Sequence, residues 1–178
     1  DGDQSPSDSS ILVSTGTNKI NSKNKLKKIE EDLFSVFNEL SEKLVLDGEG
    51  STKLLRIKVK GLSSESDCKK IALKIANSPL VKTAAFGEDS NWGRIIVAAG
   101  NTNIKEFDIN KLSLKIGNYP VLVRGNLSKK YKESQGKREF KKRRINLEIS
   151  LGTSKNFFTV IGSDLTPEYI SINSDYRS

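Results

Sequence analysis

The chain has 178 residues, 35% of them hydrophobic and 29% charged, which is enough for one sizeable globular domain or two small ones. It contains no histidine and one cysteine, Cys68, which removes histidine-dependent nucleophile systems, histidine metal sites, an internal disulfide and a cysteine-built zinc site. The net charge is +8, and no apolar run reaches the roughly 20 residues of a membrane span. Acid–base chemistry would have to come from Asp, Glu, Lys, Tyr or an N-terminal amine, and Asp1 is not a nucleophile of the Ser, Thr or Cys kind. No methionine is present, so the chain reads as cut from a longer polypeptide. The polar, acidic start argues against a secretory leader, and a reducing, intracellular compartment fits the lone cysteine.

Residues 1–8 are acidic and hydroxyl-rich, with Gly2 and Pro6, and read as a loop. Such a loop either orders a cation or an amine, or ties its side chains to its own backbone, which is the commoner case. Ile11, Leu12 and Val13 read as a short buried strand, and residues 17–24 as a polar surface connection. Leu26, Ile29, Leu33, Val36, Phe37, Leu40 and Leu44 recur at three- and four-residue spacing, which predicts an amphipathic helix with a wide apolar face. It runs into Asp47, Gly48, Glu49, Gly50, Ser51, Thr52 and Lys53, where two glycines permit a tight turn presenting Glu49 between them. Taken alone, such a stretch is more often a plain helix-to-strand turn than a site.

Leu55, Ile57 and Val59 alternate with Leu54, Arg56, Lys58 and Lys60, a strand with one face in a core and one in water, ended by Gly61. Ser64, or else Ser63, suits the N-cap of a helix with the apolar stripe Cys68, Ile71, Ala72, Ile75 and Ala76. Cys68 is there a small core residue rather than a reactive thiol. Pro79 is expected to stop this helix, with an extended segment following. Trp92 reads as a structural anchor in an Asn-Trp-Gly-Arg turn, with Arg94 a partner for Glu88 or Asp89. A ligand role for Lys82 or Arg94 is the alternative. Residues 101–110 change character and divide a core α/β part, residues 1–103, from a strand-rich C-terminal subdomain, residues 104–178.

Leu112, Leu114 and Ile116 alternate with Ser113 and Lys115, and residues 120–125 give a second short strand. Residues 129–144 hold nine basic and two acidic residues, nearly the whole net charge, in a helical or flexible segment. Residues 145–149 and 157–161 alternate about Gly152, Thr153 and Ser154 in a hairpin pattern, and residues 169–176 read as a last strand. The order of elements places the chain in the α/β class, of the layered α+β kind. Nothing matches a P-loop, a dinucleotide fingerprint, zinc spacing or a calcium loop. A basic nucleic-acid-binding module at 129–144 is a rival reading, but with Tyr131 and Phe140 as the interleaved aromatics a stacking platform is not evident.

Four stretches together resemble one family. Leu46-Asp47-Gly48-Glu49-Gly50-Ser51-Thr52-Lys53 resembles its LDGEGATK stretch. Asn77-Ser78-Pro79-Leu80-Val81-Lys82-Thr83-Ala84, with Phe86-Gly87 and Asn91-Trp92-Gly93-Arg94-Ile95, resembles a second signature. Asp164-Leu165-Thr166 with Tyr169, Ile172-Asn173 and Asp175-Tyr176 resembles its C-terminal end, and Asp1-Gly2-Asp3 with Ser5 and Asp8 its DGD-x-S-x-x-D loop. The family is the ornithine acetyltransferases of arginine biosynthesis, bifunctional glutamate N-acetyltransferases, and the matches run in order over nearly all of the chain.

The resemblance implies a DmpA/ornithine-acetyltransferase-like sandwich of sheets and helices in a cytoplasmic enzyme. It implies a precursor that cleaves itself before a threonine, which then takes acetyl from N-acetylornithine and passes it to glutamate. Such a threonine is activated by its own amine and needs no histidine. The family's oxyanion hole comes from the α chain, and the assembly is an α2β2 heterotetramer. By the family pattern the threonine is expected upstream of Asp1, so this part of a β chain is expected to hold no catalytic residue and to be inactive alone. Thr15, Thr17 and Thr52 are not candidates for that role. The family's substrate contacts fall on Glu49, Asn173 and Ser178, with Lys53 and Lys82 as further candidates. The resemblance implies no metal, no cofactor (acetyl-CoA being an optional co-substrate), and no membrane or nucleic-acid partner. Departures are Pro6 in the first loop and Pro167, where the family often has histidine. An amide hydrolase or aminopeptidase of the same fold is the nearer rival.

Overall fold

The structure, a computed structural model, describes residues 2–3 and 9–175. In chain order its elements are α1 (Lys23–Leu46), β1 (Leu54–Lys60), α2 (Glu65–Ala76), α3 (Pro79–Phe86), α4 (Trp92–Gly100), β2 (Ser113–Ile116), β3 (Tyr119–Val123), β4 (Asn126–Leu127), α5 (Glu133–Phe140), β5 (Arg144–Ser150), β6 (Phe157–Ser163) and α6 (Pro167–Ser174). The strands form one mixed sheet in the order β4-β3-β2-β5-β1-β6. β1 runs parallel to β5, with Ile57 opposite Leu147, and antiparallel to β6, with Ile57 opposite Val160. Strands from both sides of residue 103 therefore share one sheet.

The period-two pattern of β1 decides the two faces. Leu55, Ile57 and Val59 join Ile145, Leu147 and Ile149 beneath Cys68, Ile71, Ala72 and Ile75 of α2, all fully or almost fully buried. Each such side chain contributes about 1.5–3 kcal/mol on leaving water. The opposite face is polar. There Lys60 Nζ lies 2.8 Å from Glu148 Oε1, and Lys115 Nζ approaches the same oxygen at 3.7 Å, so three neighbouring strands share one carboxylate. The hydrogen bond from Lys60 holds the Glu148 carboxyl below its ordinary range.

Helix α2 starts where a cap was expected: Ser64 Oγ accepts the Asp67 N–H at 3.3 Å, with Glu65 and Asp67 in the positive first turn. Burial pushes the Cys68 thiol pKa up, in keeping with a core position.

Several expectations are corrected. Ile11, Leu12 and Val13 form no strand and are exposed. Helix α1 forms, but none of its residues is buried; Phe34 and Leu44 are 71% and 75% exposed, so its apolar face is unpartnered among the described residues. Pro79 does not lead into an extended segment. It occupies the first turn of α3, where its missing N–H costs nothing, and Ser78 caps that helix through the Val81 N–H at 3.4 Å. Trp92 likewise opens a helix, α4, and packs against the core from a half-buried position. Arg94 binds the Leu80 carbonyl at 2.9 Å rather than Glu88 or Asp89. β5 and β6 are not a hairpin, because β1 lies between them. The last strand is instead helix α6, started by Thr166 and Pro167.

The basic segment folds as α5 and the start of β5, and its charges are largely engaged. Lys142 binds the buried Glu139 at 2.7 Å, Arg144 binds Glu42 of α1 at 3.3 Å, Arg138 meets Tyr119, and Arg143 reaches the Leu46 carbonyl at 3.2 Å. No described helix is long and apolar enough to cross a membrane.

Candidate functional site

The turn between α1 and β1 comes up against the start of α6. Helix α1 stops at Leu46, and Gly50 takes φ +65°, the left-handed region that glycine enters without strain. A Cβ on Gly50 would lie 2.5 Å from the Tyr169 backbone nitrogen and 2.9 Å from Thr166 Oγ1. The turn can approach α6 this closely because position 50 has no side chain.

Thr166 and Asp164 fasten the two segments. Both are buried, at 2% and 4% exposure. Thr166 Oγ1 donates to the Gly50 carbonyl at 2.8 Å and accepts the Tyr169 N–H at 3.0 Å, capping α6. Asp164 Oδ1 accepts the Thr52 N–H at 2.9 Å and the Lys53 N–H at 3.0 Å, while Oδ2 accepts the Thr52 hydroxyl. A carboxylate taking three donors is a strong, charge-assisted anchor.

This arrangement sets Glu49 and Asn173 side by side. Asn173 Nδ2 donates to Glu49 Oε2 at 3.2 Å and to its own helix at the Tyr169 carbonyl, 2.9 Å. Both side chains are exposed to solvent. Among the described residues Glu49 Oε1 and Asn173 Oδ1 have no hydrogen-bond partner, so one corner keeps a carboxylate oxygen and an amide oxygen for a ligand. That donor-seeking pair suits an ammonium or an amide N–H.

The other candidates are placed differently. Lys53 is buried, and its ammonium binds Glu88 Oε1 at 2.9 Å and the Lys141 carbonyl at 3.2 Å. The hydrogen bond from Lys53 lowers the Glu88 carboxyl pKa. Lys82 is buried too, with Nζ 2.9 Å from the Ser163 carbonyl. Burial lowers its pKa, opposed by the Asp164 carboxylate. Both lysines hold the scaffold behind the turn. Ser178 lies outside the described residues, as do Asp1 and residues 4–8 of the first loop. No group of three or more acidic or cysteine side chains suited to a metal occurs among the described residues.

Asp164 and Thr166 were not among the site candidates, although the signal for Thr166 was present: Thr followed by Pro is an N-cap and first-turn pair. The Ser51 hydroxyl is buried without a partner among the described residues, at a position where the family stretch has alanine.

Comparison with known proteins gives a consistent result. The model of the ArgJ family matches residues 1–178. The arginine biosynthesis bifunctional protein ArgJ of Pseudomonas fluorescens is 33% identical over 183 residues, and that of Bradyrhizobium diazoefficiens 40% over 186. Each match covers 100% of this chain but 45% of the relative, so the chain spans about half the length of these curated relatives. A crystal structure of the arginine biosynthesis bifunctional protein from Bacillus halodurans superposes with a TM-score of 0.90 at 27% identity, covering 99% of this chain and 84% of that one.

Proposed function

The chain belongs to the ArgJ family, and from that premise we propose that it is part of an acetyltransferase carrying acetyl from N2-acetyl-L-ornithine to L-glutamate in arginine biosynthesis. On this reading it is β-chain material that recognises substrate. The attacking threonine and the oxyanion hole belong to parts of the complete protein outside residues 1–178, so this chain alone is inactive. The complete enzyme is a cytoplasmic α2β2 assembly that needs no cofactor, with acetyl-CoA as an alternative acetyl donor.

The observation that carries the reading is the meeting of Glu49 and Asn173, which lie far apart in sequence, at 3.2 Å on two separate family motifs. N-acetylornithine carries an ammonium and a carboxylate, and glutamate an ammonium and two carboxylates. Glu49 pairs the substrate ammonium, Asn173 shares that load through Oδ1, and the Ser178 hydroxyl holds a carboxylate or acetamide. Ping-pong transfer places donor and acceptor in the same pocket in turn, which fits one ammonium-binding corner serving both.

The test is Glu49→Gln in the complete two-chain enzyme. The swap keeps size and removes charge, and kcat/KM for N-acetylornithine or glutamate should fall at least about tenfold, about 1.4 kcal/mol of transition-state binding. Unchanged kinetics for both substrates would remove Glu49 from the site. The amide-hydrolase alternative is separated in the same assay by following acetate release against acetylglutamate formation.

A further inference from the structure

Glu49 and Asn173 sit on elements that no backbone ladder joins. Glu49 is on the turn after α1, and Asn173 is in the last turn of α6, a helix with no buried residue. Two exposed side chains on such elements would not keep a fixed spacing unless something nearer the core set it.

We propose that Thr166 is the positioning residue of the substrate corner, its single hydroxyl setting the Glu49–Asn173 spacing. The hydroxyl has two jobs at once. As acceptor it takes the Tyr169 N–H at 3.0 Å and fixes the start of α6, hence the direction in which Asn173 projects two turns later. As donor it holds the Gly50 carbonyl at 2.8 Å, one residue from Glu49. One oxygen atom is thus bonded to both carriers of the site. It is 2% exposed, so water does not substitute for either bond. Steric fit supports the same register, because the Gly50 α-carbon faces the backbone of Glu168 and Tyr169 with no room for a Cβ. Asp164, two residues before, clamps Thr52 and Lys53 and so fixes the far side of the turn. Thr166 touches no substrate in this account; it acts through Glu49 and Asn173.

The inference rests on the reading of Glu49 and Asn173 as substrate contacts, and the experiment keeps the two apart. In the complete enzyme Thr166→Val keeps shape but loses both bonds, and Thr166→Ser keeps both. For N-acetylornithine we expect Thr166→Val to raise KM about tenfold with a smaller change in kcat, because binding remote from the reacting bond is lost. Thr166→Ser should restore KM to within about threefold of wild type, less than the tenfold step that 1.4 kcal/mol represents. In an Asn173→Ala background the Thr166→Val effect on KM should largely disappear, since residues acting as a unit are not additive. A general loss of stability would instead lower Tm equally in both backgrounds and leave the two KM effects multiplicative, which overturns the proposal. So does a wild-type KM for Thr166→Val while Glu49→Gln remains impaired. If Glu49→Gln is itself unimpaired, the substrate-site reading fails first. Should Thr166→Val not assemble, Thr166→Asn replaces it. That variant keeps a capping acceptor but is too long to leave the Gly50 carbonyl in place, and a wild-type KM for it overturns the proposal.

Discussion

Gly50→Ala tests the close approach that builds the corner. At φ +65° an alanine pays about 1–2 kcal/mol for left-handed backbone. Its Cβ would stand 2.5 Å from the Tyr169 nitrogen, and because the obstacle is backbone, the first turn of α6 has to move outward. The move breaks the Thr166–Gly50 hydrogen bond, about 1 kcal/mol net. Reduced freedom in the unfolded chain returns about 0.4–1 kcal/mol. The balance is a loss of about 2 kcal/mol, before any cost of repacking. For a protein of this size that corresponds to a fall in Tm of about 4–8 °C. Thermal unfolding of the complete protein, with amide exchange followed along α6, reads both parts: a lower Tm and faster exchange at Tyr169 and Ile170. Gly48→Ala is the control, since its Cβ meets nothing closer than the Val45 carbonyl at 3.3 Å; it should stay within about 0.5 kcal/mol. A Tm shift below about 1 °C for Gly50→Ala, with unchanged exchange in α6, would refute the reasoning.

Two further outcomes follow from the buried charges. Asp164→Asn replaces an acceptor by a donor opposite the Thr52 hydroxyl or the two backbone N–H groups, and should cost about 2–4 kcal/mol in denaturant unfolding; a change under about 0.5 kcal/mol would show that the carboxylate is not the anchor. Lys82 gives a pH signature. Its folded pKa lies below the ordinary 10.5, so between the two values the unfolded chain binds more protons and stability rises with pH. The Tm of wild type minus that of Lys82→Met should therefore climb as pH approaches 10.5 from below, and a falling difference would contradict the buried-ammonium account.

The parts legible in the sequence were those written in local periodicity. The alternation in β1, the stripe of α2 with its Ser64 cap, and the glycine turn carrying Glu49 all follow from spacings within a few residues. What was misread came from ambiguity or from distance. Pro79 and Pro167 were taken as breakers or passed over, although proline is as much at home in a first helical turn. Ile170 and Ile172 alternate like a strand, but the Thr166 cap fixes the start of a helix there, and α6 is short enough for either pattern to fit. Local spacing does not encode the insertion of β1 between β5 and β6, nor the pairing of Lys53 with Glu88, because each depends on what the rest of the chain brings alongside. The apolar face of α1 was correctly read as a face, but its exposure was not foreseen.

The central place of β1 also sets the order in which the molecule can be completed. During synthesis β1 emerges early, while both of its ladder neighbours, β5 and β6, are still to be made. Until then its Leu55, Ile57 and Val59 have α2 to lean on but no sheet. Such long-separation pairing slows folding and leaves an apolar strand waiting. The Glu49–Asn173 corner closes later still, after β6 has paired and α6 has been capped. Recognition of substrate is thereby coupled to the final stage of folding: a chain stalled or shortened before Thr166 keeps most of its sheet and cannot form the corner.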